Sequence, residues 1–474
     1  MSRLLPWILV TAVWAAIYLP ALGSFEIKGE EGRRILPAIA MLDSGNYLVP
    51  QIGADTYFSK PPLVNWLVAG SFKVFGIRNE WTARAPSVLA VLAVALVFVT
   101  VGGASLGRAG GLIAGLVWLT TIGIIEKGRL IEIEAVYVSL CAIAIICWLS
   151  WWLTKRSPWL TWIVPWIFLG LAWLAKGPVH LIFFYAVVIF VLWQTRNLKA
   201  LLHPAHLIGL LIMTGMFAAW AVPFLQSSGQ SRGLTKWSGQ FTGRVSPEGY
   251  SARPVFSTLF RTIGQLLPWL LFAGFVRFRR FNNTRDREIA RALAWSVAVP
   301  ALAIALLPIS AARYSLPVVA PFSWLIALSL TRDGLGPLGR LSSSAKWNRA
   351  GLTVVALAAI AAAIAFPTMA FWPGRPSKVR TVAQQINAAV PATETLYAVD
   401  PGYQPFLFYV RARVKYLDEL SELPSPAHYF LVRRAQQEQA LASGGPSARR
   451  PDLLARIIDY RNETVLLFRR DRQP

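Results

Sequence analysis

For most of its length the chain alternates long uncharged apolar runs with short polar breaks, and that pattern leaves few folds open. A helix needs roughly 20 apolar residues to cross a bilayer, and only helices and closed barrels satisfy every backbone polar group there. The runs lack the alternation of barrel strands, so they read as helices. They fall at about 4–23, 85–106, 109–125, 135–153, 158–175, 179–194, 204–224, 262–276, 291–308, 313–331 and 350–371. A shorter run, 64–76, reads as a re-entrant or interfacial helix, and charge interrupts the 109–153 region. The expected architecture is a polytopic α-helical membrane protein with about 11–13 transmembrane helices. Only 15% of the 474 residues are charged and mean hydropathy is +0.49, values outside the range of ordinary soluble proteins.

The net charge of +24 points to lipid rather than nucleic acid, because the basic residues are spread over short loops instead of forming one patch. Anionic headgroups attract such residues by about 1 kcal/mol each near the surface. Arg108, Lys155, Arg156, Arg196, Lys199, Arg277, Arg279, Arg280, Arg285, Arg287, Arg332, Arg340 and Lys346 fall in alternate loops, which places those loops and the N-terminus in the cytoplasm. An odd number of spans then exports everything after Phe371. The run Leu4 to Leu22 follows Arg3 as a signal peptide would, but lacks a clear small-residue cleavage site and reads as an anchor. Cys141 and Cys147 lie in one apolar span as packing residues, and the four histidines form no metal cluster with them. No cofactor is indicated. A divalent metal stays open, with nothing in the sequence to mark one.

On the expected outer face, isolated charged motifs gather at the ends of the apolar spans. Glu30 and Glu31 lie between glycines in Phe25–Arg34, where adjacent carboxylates raise one another's pKa and one can act as a base. A solvated loop with local Glu–Arg pairs is the alternative. Lys60 follows Tyr57 and is held by Pro61 and Pro62 ahead of an apolar helix, where it suits an anion better than the helix dipole. A snorkelling lysine is its rival. Glu126, Lys127, Arg129, Glu132 and Glu134 crowd a span boundary. Charges inside apolar segments cost roughly 2.5–3.5 kcal/mol each, so pairing of Arg129 with Glu132 or Glu134, or a polar cavity, is expected. Lys176-Gly177-Pro178 breaks the run from Trp159 to Trp193, Arg244 follows Gln240–Gly243 in a later loop, and Arg313-Tyr314 opens another span. Cations and a few carboxylates above an apolar bundle suit an anionic headgroup on a lipid tail.

After Pro373 the pattern changes. Residues 375–390 read as an amphipathic helix, and 395–399, 414–416, 428–432 and 464–468 as strands, with 406–409 part of a further element. This alternation implies a small α/β domain spanning 373–474, set outside the cytoplasm and separate from a transmembrane part of residues 1–372. It has no Gly-rich phosphate loop: Asp400-Pro401-Gly402-Tyr403 is a turn.

The order of these motifs resembles the bacterial aminoarabinose transferase and protein O-mannosyltransferase group, integral-membrane glycosyltransferases of the C-type fold. The resemblance rests on Glu30, Glu31 and Arg33, on Tyr57 to Leu63, on Glu80-Trp81-Thr82-Ala83-Arg84, on Lys176-Gly177-Pro178 and on Arg313-Tyr314-Ser315-Leu316-Pro317, across roughly residues 5–330. It implies a sugar carried on a polyprenyl phosphate and delivered, with inversion, to an acceptor outside the bacterial inner membrane: lipid A, another envelope glycolipid or a protein hydroxyl. Glu30, Glu31 and Glu134 would be the catalytic carboxylates. Lys60, Arg129 and Arg313 would stabilise the leaving phosphate, with Arg33, Tyr57, Arg84, Lys176, Arg244 and Tyr314 completing the binding set. The chain departs from the family pattern in having Glu30-Glu31 followed by Arg33-Arg34 where Asp-Glu and Arg-Tyr are usual, and Glu134 where an Asp is usual. One added methylene shifts a carboxylate enough to cost about 100-fold where geometry is tight. A transporter or flippase for a lipid-linked or anionic substrate is the alternative, although no internal repeat is visible. A structural assembly subunit is a third reading.

Overall fold

The computed structural model describes residues 4–228, 252–335 and 378–470, apart from positions 54, 308, 309, 333, 402, 403, 443–449 and 460, with isolated residues between those segments. By internal contacts the chain forms two units. One comprises Met1–Leu22, Ser59–Val64 and Arg84–Phe371, and the other Gly23–Phe58, Asn65–Ala83 and Trp372–Pro474.

The first unit is a helical bundle built from α1 (Leu5–Tyr18), α4 (Glu80–Val97), α5 (Gly103–Thr120), α6 (Ile122–Gly128), α7 (Ile133–Leu153), α8 (Pro158–Lys176), α9 (His180–Gln194), α10 (Pro204–Ser228), α11 (Ala252–Gln265), α12 (Thr284–Ala305) and α13 (Val319–Thr331). Among the described residues, six helical stretches are long and apolar enough to cross a membrane, and Leu5–Tyr18, Leu63–Phe75 and His180–Gln194 are shorter apolar helices. Indole donors tie the helices together: Trp14 and Trp118 donate to the carbonyls of Val88 and Val91 on α4 at 2.8 and 3.1 Å. Each bond satisfies a polar group that lipid cannot.

The stretch Glu80–Thr120 contains two of the expected spans. A π-helical turn at Phe98–Gly102 precedes α5, and Gly107, at φ 77 and ψ 164, breaks the helix between them. Only glycine adopts that conformation without strain. The return of the chain packs Gly111 so tightly that a Cβ there would lie 2.7 Å from the Phe98 carbonyl oxygen and 2.9 Å from Gly103 Cα. At Thr121 the backbone turns extended, so the expected span 109–125 becomes α5 and the short α6. The expected span 262–276 is not continuous either: α11 ends at Gln265 and only Leu270–Ala273 is helical beyond it. Pro268, with no N–H to donate, stands in the gap. The expected span 350–371 lies outside the described residues except for isolated positions.

The second unit joins the first long loop to the C-terminal segment. It holds α2 (Gly32–Ser44), most of α3 (Leu63–Phe75), α14 (Lys378–Ala389) and a five-stranded sheet of β1 (Thr395–Val399), β2 (Arg413–Leu417), β3 (Tyr429–Arg433), β4 (Asp452–Ile458) and β5 (Thr464–Arg469). The order is β2-β1-β3-β5-β4, with β1 parallel to β2 and β3, and β5 antiparallel to β3 and β4. Phe430 and Phe468 stack at 5.4 Å in its core. The strand β4 escapes sequence reading because it is an edge strand whose side chains are mostly not buried, so no alternation marks it. Two carboxylates of the first loop hold this domain. Glu26 accepts from the N–H groups of Val379 and Arg380 at 2.8 and 3.1 Å, capping α14. Glu80 pairs with the Arg380 guanidinium and accepts from the Tyr409 hydroxyl at 2.9 Å. Burial raises the Tyr409 hydroxyl pKa, a shift the backbone N–H of Ile27 opposes and Glu80 reinforces.

Gly111→Ala should lower stability by about 1–3 kcal/mol, the usual cost of overpacking, because the atoms it meets are backbone and cannot swing aside. Thermal unfolding in detergent measures this, and an unchanged midpoint would contradict the close approach.

Candidate active site

The antiparallel hairpin of α7 and α8 brings the start of one helix beside the end of the other. Glu134 sits in the first turn of α7 and Lys176 is the last residue of α8. Each helix dipole favours the charge it carries there. Gly177, at φ 118, then ends α8. The Lys176 ammonium lies 2.9 Å from Glu134 Oε1, with both side chains only 8% exposed. Arg313, in the 3-10 turn Ala312–Val318 before α13, reaches the same oxygen at 3.5 Å. Aromatic faces complete the cluster, with the Lys176 ammonium 5.1 Å from the Tyr137 ring and 4.5 Å from the Tyr314 ring.

A second pair adjoins it in sequence. Lys127, near the end of α6, lies 3.3 Å from Glu126 and 3.2 Å from Glu132. Burial raises the Glu132 carboxyl above the usual carboxylate range, a shift that Lys127 opposes and Glu134 reinforces. Burial works the other way on Lys127, where Glu132 and Glu126 outweigh it and raise the ammonium. The expected pairing of Arg129 with Glu132 or Glu134 gives way to these partners. The Arg129 guanidinium donates to the carbonyls of Ile17 and Pro20. Burial draws its pKa down to about 10, above neutrality, so it keeps its charge. Arg84, 1% exposed, donates to the carbonyl of Leu22 at 2.7 Å. Both arginines thus satisfy carbonyls at and just beyond the end of α1, where a cation also suits the dipole.

In the other unit the two adjacent glutamates differ. Glu30 forms a local pair with Arg33 at 3.2 Å, both 35% exposed. Glu31 is 2% exposed, and one of its oxygens accepts from the Lys28 N–H at 3.5 Å. Tyr57 is buried and its hydroxyl accepts from Arg34 at 3.0 Å, while Asn65 donates to the Arg34 carbonyl at 2.8 Å. Lys60, which belongs to the bundle unit, is half-buried just ahead of α3. Arg244 lies outside the described residues.

Sequence reasoning therefore located Glu134, Lys176, Arg313 and Tyr314, which the fold unites, but not their partnership. It omitted Tyr137 and Arg34. Tyr137 had a signal in its position three residues after Glu134, one helical turn along the same face. Arg34 looked like a loop cation.

Residues 59–222 match the dolichyl-phosphate-mannose-protein mannosyltransferase family. Over 341 residues the chain is 26% identical to the undecaprenyl phosphate-alpha-4-amino-4-deoxy-L-arabinose arabinosyl transferase of Erwinia tasmaniensis, covering 70% of this chain and 59% of that one. It is also 28% identical over 190 residues to an uncharacterized protein of Aquifex aeolicus, covering 39% of this chain and 41% of the relative. The matches thus span less than two thirds of either relative. The crystal structure of ArnT from Cupriavidus metallidurans bound to undecaprenyl phosphate superposes with a TM-score of 0.73 at 18% identity, covering 98% of this chain and 97% of that one. The chain has the ArnT fold. Its sequence resembles the aminoarabinose transferase and protein mannosyltransferase group, and the superposition, covering 98% of the chain, takes in both units described above.

Arg84→Ala and Arg129→Ala should each cost about 1–3 kcal/mol of stability by leaving buried carbonyls unpaired. Unfolding midpoints in detergent check this, and a wild-type midpoint for both would refute the capping role.

Proposed function

We propose that the chain is a membrane glycosyltransferase that moves a sugar from a polyprenyl phosphate to an acceptor outside the cytoplasmic membrane of a bacterium. The observation that carries this is the cluster of buried Glu134 and Lys176 with half-buried Arg313, in which two cations share one carboxylate oxygen. Cations gathered at the end of apolar helices suit a lipid-linked phosphate. The likeness to ArnT, solved with undecaprenyl phosphate, and to the Erwinia arabinosyl transferase supports the donor class. Those likenesses lend nothing to a transporter.

In this reading an acceptor oxygen attacks the anomeric carbon from the face opposite the phosphate. The new C–O bond forms as the old one breaks, and polyprenyl phosphate leaves with the bonding electrons. Lys176 and Arg313 stabilise the charge gathering on that phosphate, with Lys60 as a further phosphate ligand. Glu134 holds both cations in place. Glu31, the more buried of the first-loop pair, orients the acceptor or takes its proton, and Glu30 sets Arg33. A phosphate acceptor is already ionised and needs no base, whereas a hydroxyl does. Orientation follows the basic residues: the bundle end bearing Lys155, Arg156, Arg196, Lys199 and Arg285 faces the cytoplasm, and the end bearing Glu134, Lys176 and Arg313 faces outward.

Purified protein incubated with radiolabelled polyprenyl-phosphate sugars and candidate acceptors should transfer label. With a hydroxyl acceptor, Glu31→Gln should cut turnover by about 100-fold or more, and Glu30→Gln by less than about 10-fold. Equal rates for wild type and Glu31→Gln, or no transfer across a broad donor panel, would sink the reading.

A further inference from the structure

At the end of the bundle opposite Glu134, helices α7 and α9 stop in the same unusual way. The N–H of Arg156 bonds to the Trp151 carbonyl at 2.9 Å and that of Lys155 to the Trp152 carbonyl at 3.2 Å. The pattern repeats after α9, where Asn197 bonds to Leu192 at 2.8 Å and Arg196 to Trp193 at 3.1 Å. In both turns the residue in the left-handed conformation is a long cation, Lys155 at φ 53 and Arg196 at φ 56. Glycine fills that position in most helix ends of this kind, because a side chain there is strained. Twice, then, the chain keeps a positive charge at a strained position where glycine would fit without strain, and such strain persists where it serves a purpose.

Beside these turns lies an open cavity of about 640 Å³ whose lining includes Trp152, Lys155, Arg156, Trp162, Asn197 and Arg285. Among the described residues, no carboxylate lines it. The Arg285 guanidinium spans from the start of α12 to the Leu153 carbonyl at the end of α7, which places a third cation across the opening. Asn197 also lines an adjoining cavity of about 480 Å³ with Trp193, Arg196 and Lys199. Tryptophans among cations at the ends of membrane helices mark the depth of lipid headgroups.

We propose that this cavity is a binding site for the headgroup of an anionic phospholipid, with Lys155, Arg156 and Arg285 around its phosphate and Trp152 and Trp162 beside the glycerol and upper acyl chains. A lipid seated there bridges α7, α8 and α12, and the strained Lys155 turn is what aims a cation at it.

Electron spin resonance on full-length protein in phosphatidylcholine vesicles, with spin-labelled phosphatidylglycerol or phosphatidylcholine as probe, measures the preference for anionic lipid. Lys155→Gly with Arg156→Gln should reduce that preference by about 5-fold or more, since each cation near an anionic surface contributes about a factor of 5. The same double variant should unfold no earlier than wild type, because glycine relieves the turn. Lys155→Arg should keep the preference. Arg108→Gln with Arg279→Gln, which removes two exposed cations outside the cavity, should leave it nearly unchanged. Equal losses in the two double variants would show diffuse surface charge and overturn the site. Displacement of the labelled lipid by inorganic phosphate at matched ionic strength would assign the cavity to free phosphate and overturn the lipid headgroup.

Discussion

A carboxylate buried at the end of a membrane helix is stable only with positive charge beside it, and Glu134 has two cations on a single oxygen. Much of that end of the bundle follows from that requirement. Lys176 reaches Glu134 because α7 and α8 form an antiparallel hairpin, and Gly177 stops α8 where its last residue faces the first turn of α7. Arg313 arrives from a separate turn ahead of α13, so the ion cluster fastens three elements at once. Removing one partner of such a cluster leaves a buried charge uncompensated, which costs far more than an exposed pair is worth. Aromatic faces of Tyr137 and Tyr314 stand beside Lys176 in the same arrangement.

The other unit solves a different problem with the same chemistry. A domain of about 100 residues at the end of the chain must be ordered against a loop near its start, and two glutamates do this. Glu26 caps α14 and Glu80 binds both Arg380 and Tyr409, so the first loop and the C-terminal sheet form one body. Within it Glu31 is buried beside half-buried Glu30, which separates two residues that composition alone leaves equivalent.

Helices were legible where apolar runs were long and unbroken, as at Ile133–Leu153 and Pro204–Ser228, because lipid forces the backbone to pair internally. Legibility failed where a single residue redirects the chain. Thr121 and Pro268 interrupt runs whose average hydropathy gives no warning. The charged motifs were legible as a set, since charge in an apolar span must be compensated. Their partners were not: Arg129 lies three residues from Glu132 yet serves carbonyls more than a hundred residues away, and Glu134 takes Lys176 from the next helix. Packing made that choice, and no local pattern records it. The sheet's three central strands, Thr395–Val399, Tyr429–Arg433 and Thr464–Arg469, showed themselves by their buried apolar runs, while the edge strand Asp452–Ile458, largely unburied, did not.

Affinity for the leaving group probes the ion cluster most directly. Native mass spectrometry of the purified protein titrated with polyprenyl phosphate should show binding that weakens by about 100-fold or more in Lys176→Met with Arg313→Met, as expected when charge-assisted contacts to a phosphate are lost. Undiminished affinity in a folded double variant would place the phosphate elsewhere and leave Glu134, Lys176 and Arg313 with a purely structural task.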